Sequence, residues 1–421
     1  MDLPNDVAAY LQDFTYKEDD VNCSLFSAAD NNTKIETILI DGRNITKYVN
    51  EFWTSKQRQA SSIHEISYRA CFKPQLPRFF IELLSEVGDI IYDPFSGRGT
   101  TVIEAGLLGR KIVSNDVNPL SEILTRPRFT PPTIEDVGER LSRLDFDNTL
   151  DSEIDLSMFF HERTLSEILS IRKYLWERKK SGNEDGIDRW IAMVATNRLT
   201  GHSAGFFSVY TLPPNQAASP KSQKKINEVR CQIPEYRDTK EIILRKTNSL
   251  LRNLTSPQKA NINVMGRSGL FINRSAAYTP EIAADSVQLT VTSPPFLNIV
   301  QYSKDNWLRC WFNCLDGDEI SKRITMAKTV EEWSTAMGSV FHELYRVTKP
   351  NGWVAFEVGE VKNRTVSLDE HVVPLGNSAG FECNGILVNS QEFTKTANIW
   401  GIQNMKSGTN TNRIVLFRKT K

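Results

Sequence analysis

No run in the 421 residues is long and apolar enough to cross a bilayer, and the opening MDLPNDVAAY lacks a basic stretch followed by an apolar one. Neither a membrane span nor export is expected, and the reducing cytoplasm is the expected setting. The six cysteines, at 23, 71, 231, 310, 314 and 383, form no CxxC pair, which leaves no metal-ligand spacing. Cys310 and Cys314 stand one helical turn apart in LRCWFNCL and read as a buried helix face; no metal is expected. Histidine is scarce, with five residues, and His342 and His371 are read as structural rather than as bases. A GxxxxGK[ST] lysine is absent, so nothing promises a triphosphate cradle. Net charge is absent too, 51 basic residues balancing 51 acidic ones, and overall electrostatics announce no polyanionic partner.

What is present is a globular composition, 40% hydrophobic and 24% charged, with length for two domains or for one carrying a large insertion. Charge is uneven: residues 1–40 hold eight acids and two bases, while residues 221–267 hold eleven bases against four acids. A phosphate-contacting surface is sought in that basic stretch. Lys34–Ile40 reads as a strand closed by the turn Asp41-Gly42. Asp89–Tyr92, a small-residue turn, a helix at Thr100–Leu108 and a strand at Lys111–Ser114 form a βαβ unit, which argues for a parallel sheet. Helical periodicity marks Leu156–Arg178 and Asp188–Leu199, and Ile226–Leu254 reads as basic and broadly helical. Alternation returns with strands at 269–273, 287–292, 353–358, 381–389 and 413–418 and a helix at 330–347.

Two constellations carry chemistry. In Asp93-Pro94-Phe95-Ser96-Gly97-Arg98-Gly99-Thr100-Thr101 a strand ends in an acid and a glycine turn opens a helix. Glycines let the backbone approach a ligand closely, and the helix start offers free N–H groups. Asp116, 23 residues beyond Asp93 at the end of the next strand, is placed to accept both hydroxyls of a ribose. Val102 stands where the dinucleotide fingerprint has its third glycine, so a nucleoside without phosphates is favoured. In Thr292-Ser293-Pro294-Pro295-Phe296, at the end of an apolar strand, two prolines stiffen the loop. A hydroxyl beside a carbonyl can accept both hydrogens of an NH₂ group, and the aromatic offers a stacking surface for a planar base.

DPFSGRGTT with GRKIVSNDVNP resembles the cofactor motif of bacterial DNA amino-methyltransferases, and TSPPF resembles their catalytic motif, in the variant typical of cytosine-N4 enzymes. Tyr68–Pro77 is similar to the family segment that closes over the methionine end of the cofactor, and Glu343–Gly352 to the approach to its fifth strand. The resemblance implies a Rossmann-like, seven-stranded class I methyltransferase sheet at 61–125 and 265–421. A mainly helical insertion at 126–264 would serve as the DNA-recognition region, behind an N-terminal extension at 1–60. The insertion falls between the second and third strands, cofactor motif first, whereas many relatives run in the other order.

The resemblance also implies S-adenosylmethionine as cofactor, held by Phe72, Lys73, Asp93, Phe95, Ser96, Gly97, Gly99, Thr100, Asp116, Asn118 and Ser275. Ser293, Pro294, Pro295 and Phe296 would act on a flipped base; no Pro-Cys dipeptide of the kind that attacks cytosine C6 occurs. The expected reaction is methylation of cytosine N4 in DNA, with adenine N6, an RNA methyltransferase and an inactive DNA-binding homologue as alternatives. A cognate restriction endonuclease is a functional partner consistent with it. Lys221, Lys224, Lys225, Arg230, Arg245 and Lys246 are the expected phosphate contacts. The segment Thr200–Tyr210 is expected to present polar and aromatic groups to the bases. Glu104, on the helix after the glycine turn, is expected to be a neutral position.

Overall fold

β-branched strands and amphipathic helices alternate along the chain as the hydrophobic periods predict. The structure, a computed structural model, describes residues 6–15, 32–53, 60–69, 71–214, 216–295, 302–324, 327–358, 360–361, 366–390 and 411–421. Helix α1 (Val7–Gln12) precedes a hairpin of β1 (Lys34–Ile40) and β2 (Arg43–Asn50). Its turn residues Asp41 and Gly42 both take positive φ, 49° and 73°, the twist that two-residue hairpins prefer. The βαβ unit follows α2 (Gln75–Leu84) as β3 (Ile90–Asp93), α3 (Thr100–Leu107) and β4 (Lys111–Asn115).

Seven helices come next: α4 (Leu120–Thr125), α5 (Ile134–Ser142), α6 (Glu162–Lys180), α7 (Gly186–Arg198), α8 (Pro220–Arg230), α9 (Thr239–Leu251) and α10 (Ser256–Ser268). The periodic stretch from Leu156 becomes helical only at Glu162, where the His161 ring accepts the Arg163 N–H as a cap. The basic stretch is broken between α8 and α9, with Cys231 in the left-handed region (φ 48°) and Pro234 in the link. The chain then runs through β5 (Leu270–Ile272), β6 (Val287–Thr292), α11 (Tyr302–Asp305), α12 (Trp307–Phe312), α13 (Gly317–Arg323) and α14 (Val330–Val347). It ends with β7 (Thr348–Val358), β8 (Glu360–Val361), β9 (Val366–Ser367), α15 (Leu368–Ala379), β10 (Glu382–Ser390) and β11 (Thr411–Arg418). Cys310 is buried in α12, whereas Cys314 lies past the helix end with φ 52° and is exposed, so the two do not share a helix face.

Among the described residues the main sheet has nine strands, ordered β1-β2-β10-β11-β7-β6-β3-β4-β5. The seven from β3 to β7 with β10 and β11 make the expected sheet, parallel from β5 to β7 with β11 antiparallel beside β7. The other two correct the expected count, because β2 pairs in parallel with β10 and buries Ile45 and Tyr48 there. The described residues 32–53 therefore join the sheet at its edge. Just past β2, Phe52 and Trp53 are buried, their N–H groups donating to the Asn389 Oδ1 at 2.8 and 3.2 Å.

The expected boundary between 264 and 265 falls inside α10, which packs on α3 and leads straight into β5. One core layer continues from α2 and α3 into the inserted helices through Phe129, Trp190 and Ile191. The other face is covered by α14 and α15 around Phe341, Phe356 and Phe417. From β3 the chain steps outward to β4 and β5, then returns to lay β6 on the other side of β3. That reversal opens a crevice at the carboxyl ends of β3 and β6, where ligands of open α/β sheets bind.

Candidate active site

The two constellations meet in that crevice because β3 and β6 pair in parallel, Tyr92 opposite Thr290. The buried Asp93 carboxylate accepts the Thr292 hydroxyl at 2.7 Å and the Phe95 N–H at 3.1 Å, tying one motif to the other. Burial pushes the Asp93 carboxyl up to about 7, against the pull of these hydrogen bonds. In the turn, the Ser96 N–H donates to the Asn115 carbonyl at 2.9 Å, and its hydroxyl to the Asp93 carbonyl at 3.0 Å. Asp116 closes the second strand: its Oδ2 accepts the Gly97 N–H and its Oδ1 the Asn118 N–H, each at 2.8 Å. Burial raises this carboxyl to about 6.

A cavity of about 280 Å³ opens over these groups. On the glycine-turn side it is lined by Phe72, Asp93, Phe95, Ser96, Gly97 and Thr100, and beside them by Asp116, Asn118 and Ser275. Ser293 and Pro295 line it from the second motif. Lys73, Gly99 and Pro294 do not. Gly99 is required by packing instead: at φ 76° a Cβ would fall 2.4 Å from the Thr125 methyl. Gly97 is the glycine that faces the cavity, where a Cβ would stand 3.6 Å from the Tyr68 ring and the Cys71 sulfur. Phe296 lies outside the described residues.

The wall formed by residues 68–72 is held from behind. Arg98 donates to the carbonyls of Ile66 at 2.9 Å and of His64 and Phe72 at 3.4 Å. Buried Arg128 in turn donates to the carbonyls of Ile63, Leu124 and Arg98. Glu104 is no neutral position, being 2% exposed, bonded to His64 Nε2 at 2.6 Å and to Arg78 Nε at 3.0 Å. Burial lowers the His64 pKa and keeps the ring neutral, so it serves as a donor to the carboxylate.

Glu357, one residue before the end of β7, was not singled out in the sequence. It is buried, hydrogen-bonded by the Asn412 amide and by Ser293, and pushed up by burial to about 6. Its signal was legible: an acid at the carboxyl end of an apolar strand, as at Asp93 and Asp116. The carbonyl of the second proline is taken, since Pro295 O accepts the Trp333 indole N–H at 3.0 Å.

The expected phosphate contacts separate. Lys221, Lys224, Lys225 and Arg230 are exposed on α8; Lys224 lies 3.6 Å from Asp155, and Arg230 stacks on Tyr210, 3.7 Å from the ring centre. Arg245 is exposed and 3.7 Å from Glu241. Lys246 is a correction: it turns inward, 9% exposed and 3.7 Å from Glu65, and burial lowers its pKa to about 8. Phe206 and Phe207 are also interior, so the aromatics of Thr200–Tyr210 pack the core; only Tyr210 of these stays at the surface. Among the described residues no cluster of three metal-ligating side chains occurs, and no helix is long and apolar enough to cross a membrane.

Residues 16–122, which include the glycine turn and Asp116, match a family model described as DNA methylase. Ser293 and its prolines lie beyond that match. Over 98 residues the chain is 33% identical to the Type II methyltransferase M.MvaI of Kocuria varians, covering 23% of this chain and 20% of that protein. Over 76 residues it is 35% identical to the Type II methyltransferase M.MjaII of Methanocaldococcus jannaschii, covering 18% and 14%. Over 63 residues it is 35% identical to a tRNA (guanine(10)-N2)-dimethyltransferase of the same archaeon, covering 15% and 18%. The chain thus spans no more than a fifth of the length of these relatives.

Proposed function

We propose that the chain is a DNA amino-methyltransferase that methylates the exocyclic N4 amine of cytosine in DNA; the match of residues 16–122 to the DNA methylase family model supports the reading. The observation that carries the proposal is the Asp93–Thr292 hydrogen bond, which fixes the nucleoside-binding turn beside Ser293 and its prolines. S-adenosylmethionine is the cofactor, and when bound it supplies an electrophilic methyl on a cationic sulfur. The crevice suits it: two carboxylates, a glycine whose missing side chain leaves room, and no phosphate cradle.

In this reading Asp116 accepts the ribose hydroxyls with the oxygen lone pairs left by Gly97 and Asn118. Ser293 donates its proton to Glu357, which leaves the hydroxyl lone pairs to accept an amine hydrogen of the flipped base. The Pro294 carbonyl, outside the cavity lining in this structure, is proposed to turn toward the base and accept the other hydrogen. Two directional acceptors orient the amine nitrogen for in-line attack. Glu357 thus positions Ser293 through a hydrogen bond, and the proton that the methylated amine releases passes to the Ser293 hydroxyl as that hydroxyl passes its own to Glu357. Lys221, Lys224, Lys225 and Arg230 on α8 would meet the DNA backbone.

The serine before the prolines favours cytosine; adenine N6 would use the same acceptors. The relative named for tRNA favours a second reading, an amine in RNA. Methyl-labelled cofactor with plasmid DNA or with total tRNA separates the two. Label in DNA, lost in Ser293→Ala, is expected; label confined to RNA would overturn the proposal.

A further inference from the structure

Away from the crevice, a second cavity of about 230 Å³ lies between α4, α6, α7 and the end of α12. Its floor is apolar, including Ile123, Leu175, Ala192 and Phe312. Trp176 lines it and is 45% exposed, with Lys180 over its ring at 4.7 Å from the centre. The indole thus offers a flat apolar face to a ligand at the edge of the apolar hollow.

Four cations line the hollow, Arg126, Arg172, Lys179 and Arg189, against two acids, Glu122 and Glu184. The acids are already used, Glu122 by Arg126 at 2.7 Å and Glu184 by Arg189 at 2.7 Å. Arg172 donates its Nε–H to the Trp311 carbonyl at 3.0 Å and stacks on that indole, and it has no carboxylate partner among the described residues. Lys179, exposed at the rim, has none either. Two uncompensated cations beside a planar apolar surface select a ligand with a flat ring and a negative charge close to it.

We propose that this groove binds a nucleotide, the base against Trp176 and the phosphate on Arg172 and Lys179. The nucleotide is either free or one residue of a DNA strand lying across the helical insertion. The groove adjoins the crevice along one short segment. Asp116, Val117 and Asn118 line the first cavity, and Pro119, the next residue, lines the second. The Asn118 side chain accepts the Leu120 N–H at 3.1 Å at the start of α4, whose Glu122 and Ile123 line the second cavity. This site is independent of the methyl-transfer reading, since none of its residues touches the catalytic motif.

Tryptophan fluorescence of the full chain tests it, with Trp176→Phe identifying the signal. The titrants are deoxycytidine and deoxyadenosine monophosphates, the parent nucleosides, inorganic phosphate and a short single-stranded oligonucleotide. A saturable change with the mononucleotides is expected. It should be absent in Trp176→Phe and weakened about tenfold or more in Arg172→Ala/Lys179→Ala, the scale of one lost charged hydrogen bond. It should persist in Asp116→Ala, whose crevice is impaired. A response to the oligonucleotide alone assigns the groove to a strand residue and keeps the proposal. No response to any nucleotide overturns it. So does equal binding of phosphate alone, or a response lost in Asp116→Ala and retained in the arginine–lysine variant. Binding of an acidic aromatic peptide in place of the nucleotides would also overturn it.

Discussion

Asp116 is the position where removing a few atoms should tell most about the crevice. Its carboxylate already holds the Gly97 and Asn118 N–H groups, and its remaining lone pairs face the cavity. In Asp116→Ala the ligand loses a charged acceptor, about 1.5–3 kcal/mol, or roughly ten- to 150-fold in Kd for S-adenosylmethionine. Asp116→Asn keeps one acceptor oxygen and should fall between that variant and wild type. The raised pKa adds a second signature. Ribose hydroxyls need an ionised acceptor, so affinity of the wild type should weaken as pH falls through about 6. Below that point the loss approaches tenfold per pH unit. Asp116→Asn should be flat there. The sign for the unliganded protein is opposite. Asp93 and Asp116 titrate near 7 and 6, above the ~3.9 of an unfolded aspartate, so the folded state holds more protons between these values. Their contribution to stability therefore falls as pH rises from about 4 to about 7. Calorimetric affinity across pH 5–8 is the assay. Wild-type affinity in Asp116→Ala, or a pH-independent wild type, refutes the assignment.

Glu104→Ala should destabilise the fold by about 1–3 kcal/mol in urea unfolding, because it leaves the buried His64 ring N–H without its acceptor, while the partly exposed Arg78 keeps Glu82. Ser293→Ala and Glu357→Gln should lower kcat while leaving cofactor affinity near wild type. At saturating cofactor the acid limb of kcat near pH 6 should vanish in Glu357→Gln, since protonation of that carboxylate removes the acceptor for Ser293. Lys224→Ala/Lys225→Ala should weaken DNA binding uniformly across sequences and reduce the salt slope by about two, read by fluorescence anisotropy. An unchanged slope takes α8 out of the interface.

The βαβ unit and the later strands were legible because each is a local pattern: an apolar run, an acid at its end, then glycines or prolines. β6 and α14 fall where periodicity puts them. What could not be read is tertiary. The docking of β2 on β10 joins residues more than 300 positions apart, and nothing local marks it. Lys246 and Glu104 look like surface charges on helices, yet the fold turns both inward, where Glu65 and His64 meet them. Gly99 reads as a ligand glycine because it sits in a ligand motif; its constraint comes from Thr125, at the far end of α4, beyond α3 and β4. Glu357 obeys the same rule as Asp93 and Asp116, an acid closing an apolar strand, but it stands outside the two motifs that carry the family resemblance.

Nucleoside analysis of treated DNA tests the central claim most directly. Unmethylated plasmid is incubated with the chain and S-adenosylmethionine, digested to nucleosides and resolved by mass spectrometry. The account predicts N4-methylcytosine, absent when Ser293→Ala replaces the wild type. N6-methyladenine would keep the amino-methyltransferase and correct the base, whereas a C5-methylated cytosine, or no modified nucleoside from an active preparation, would contradict the mechanism built on Ser293 and its prolines.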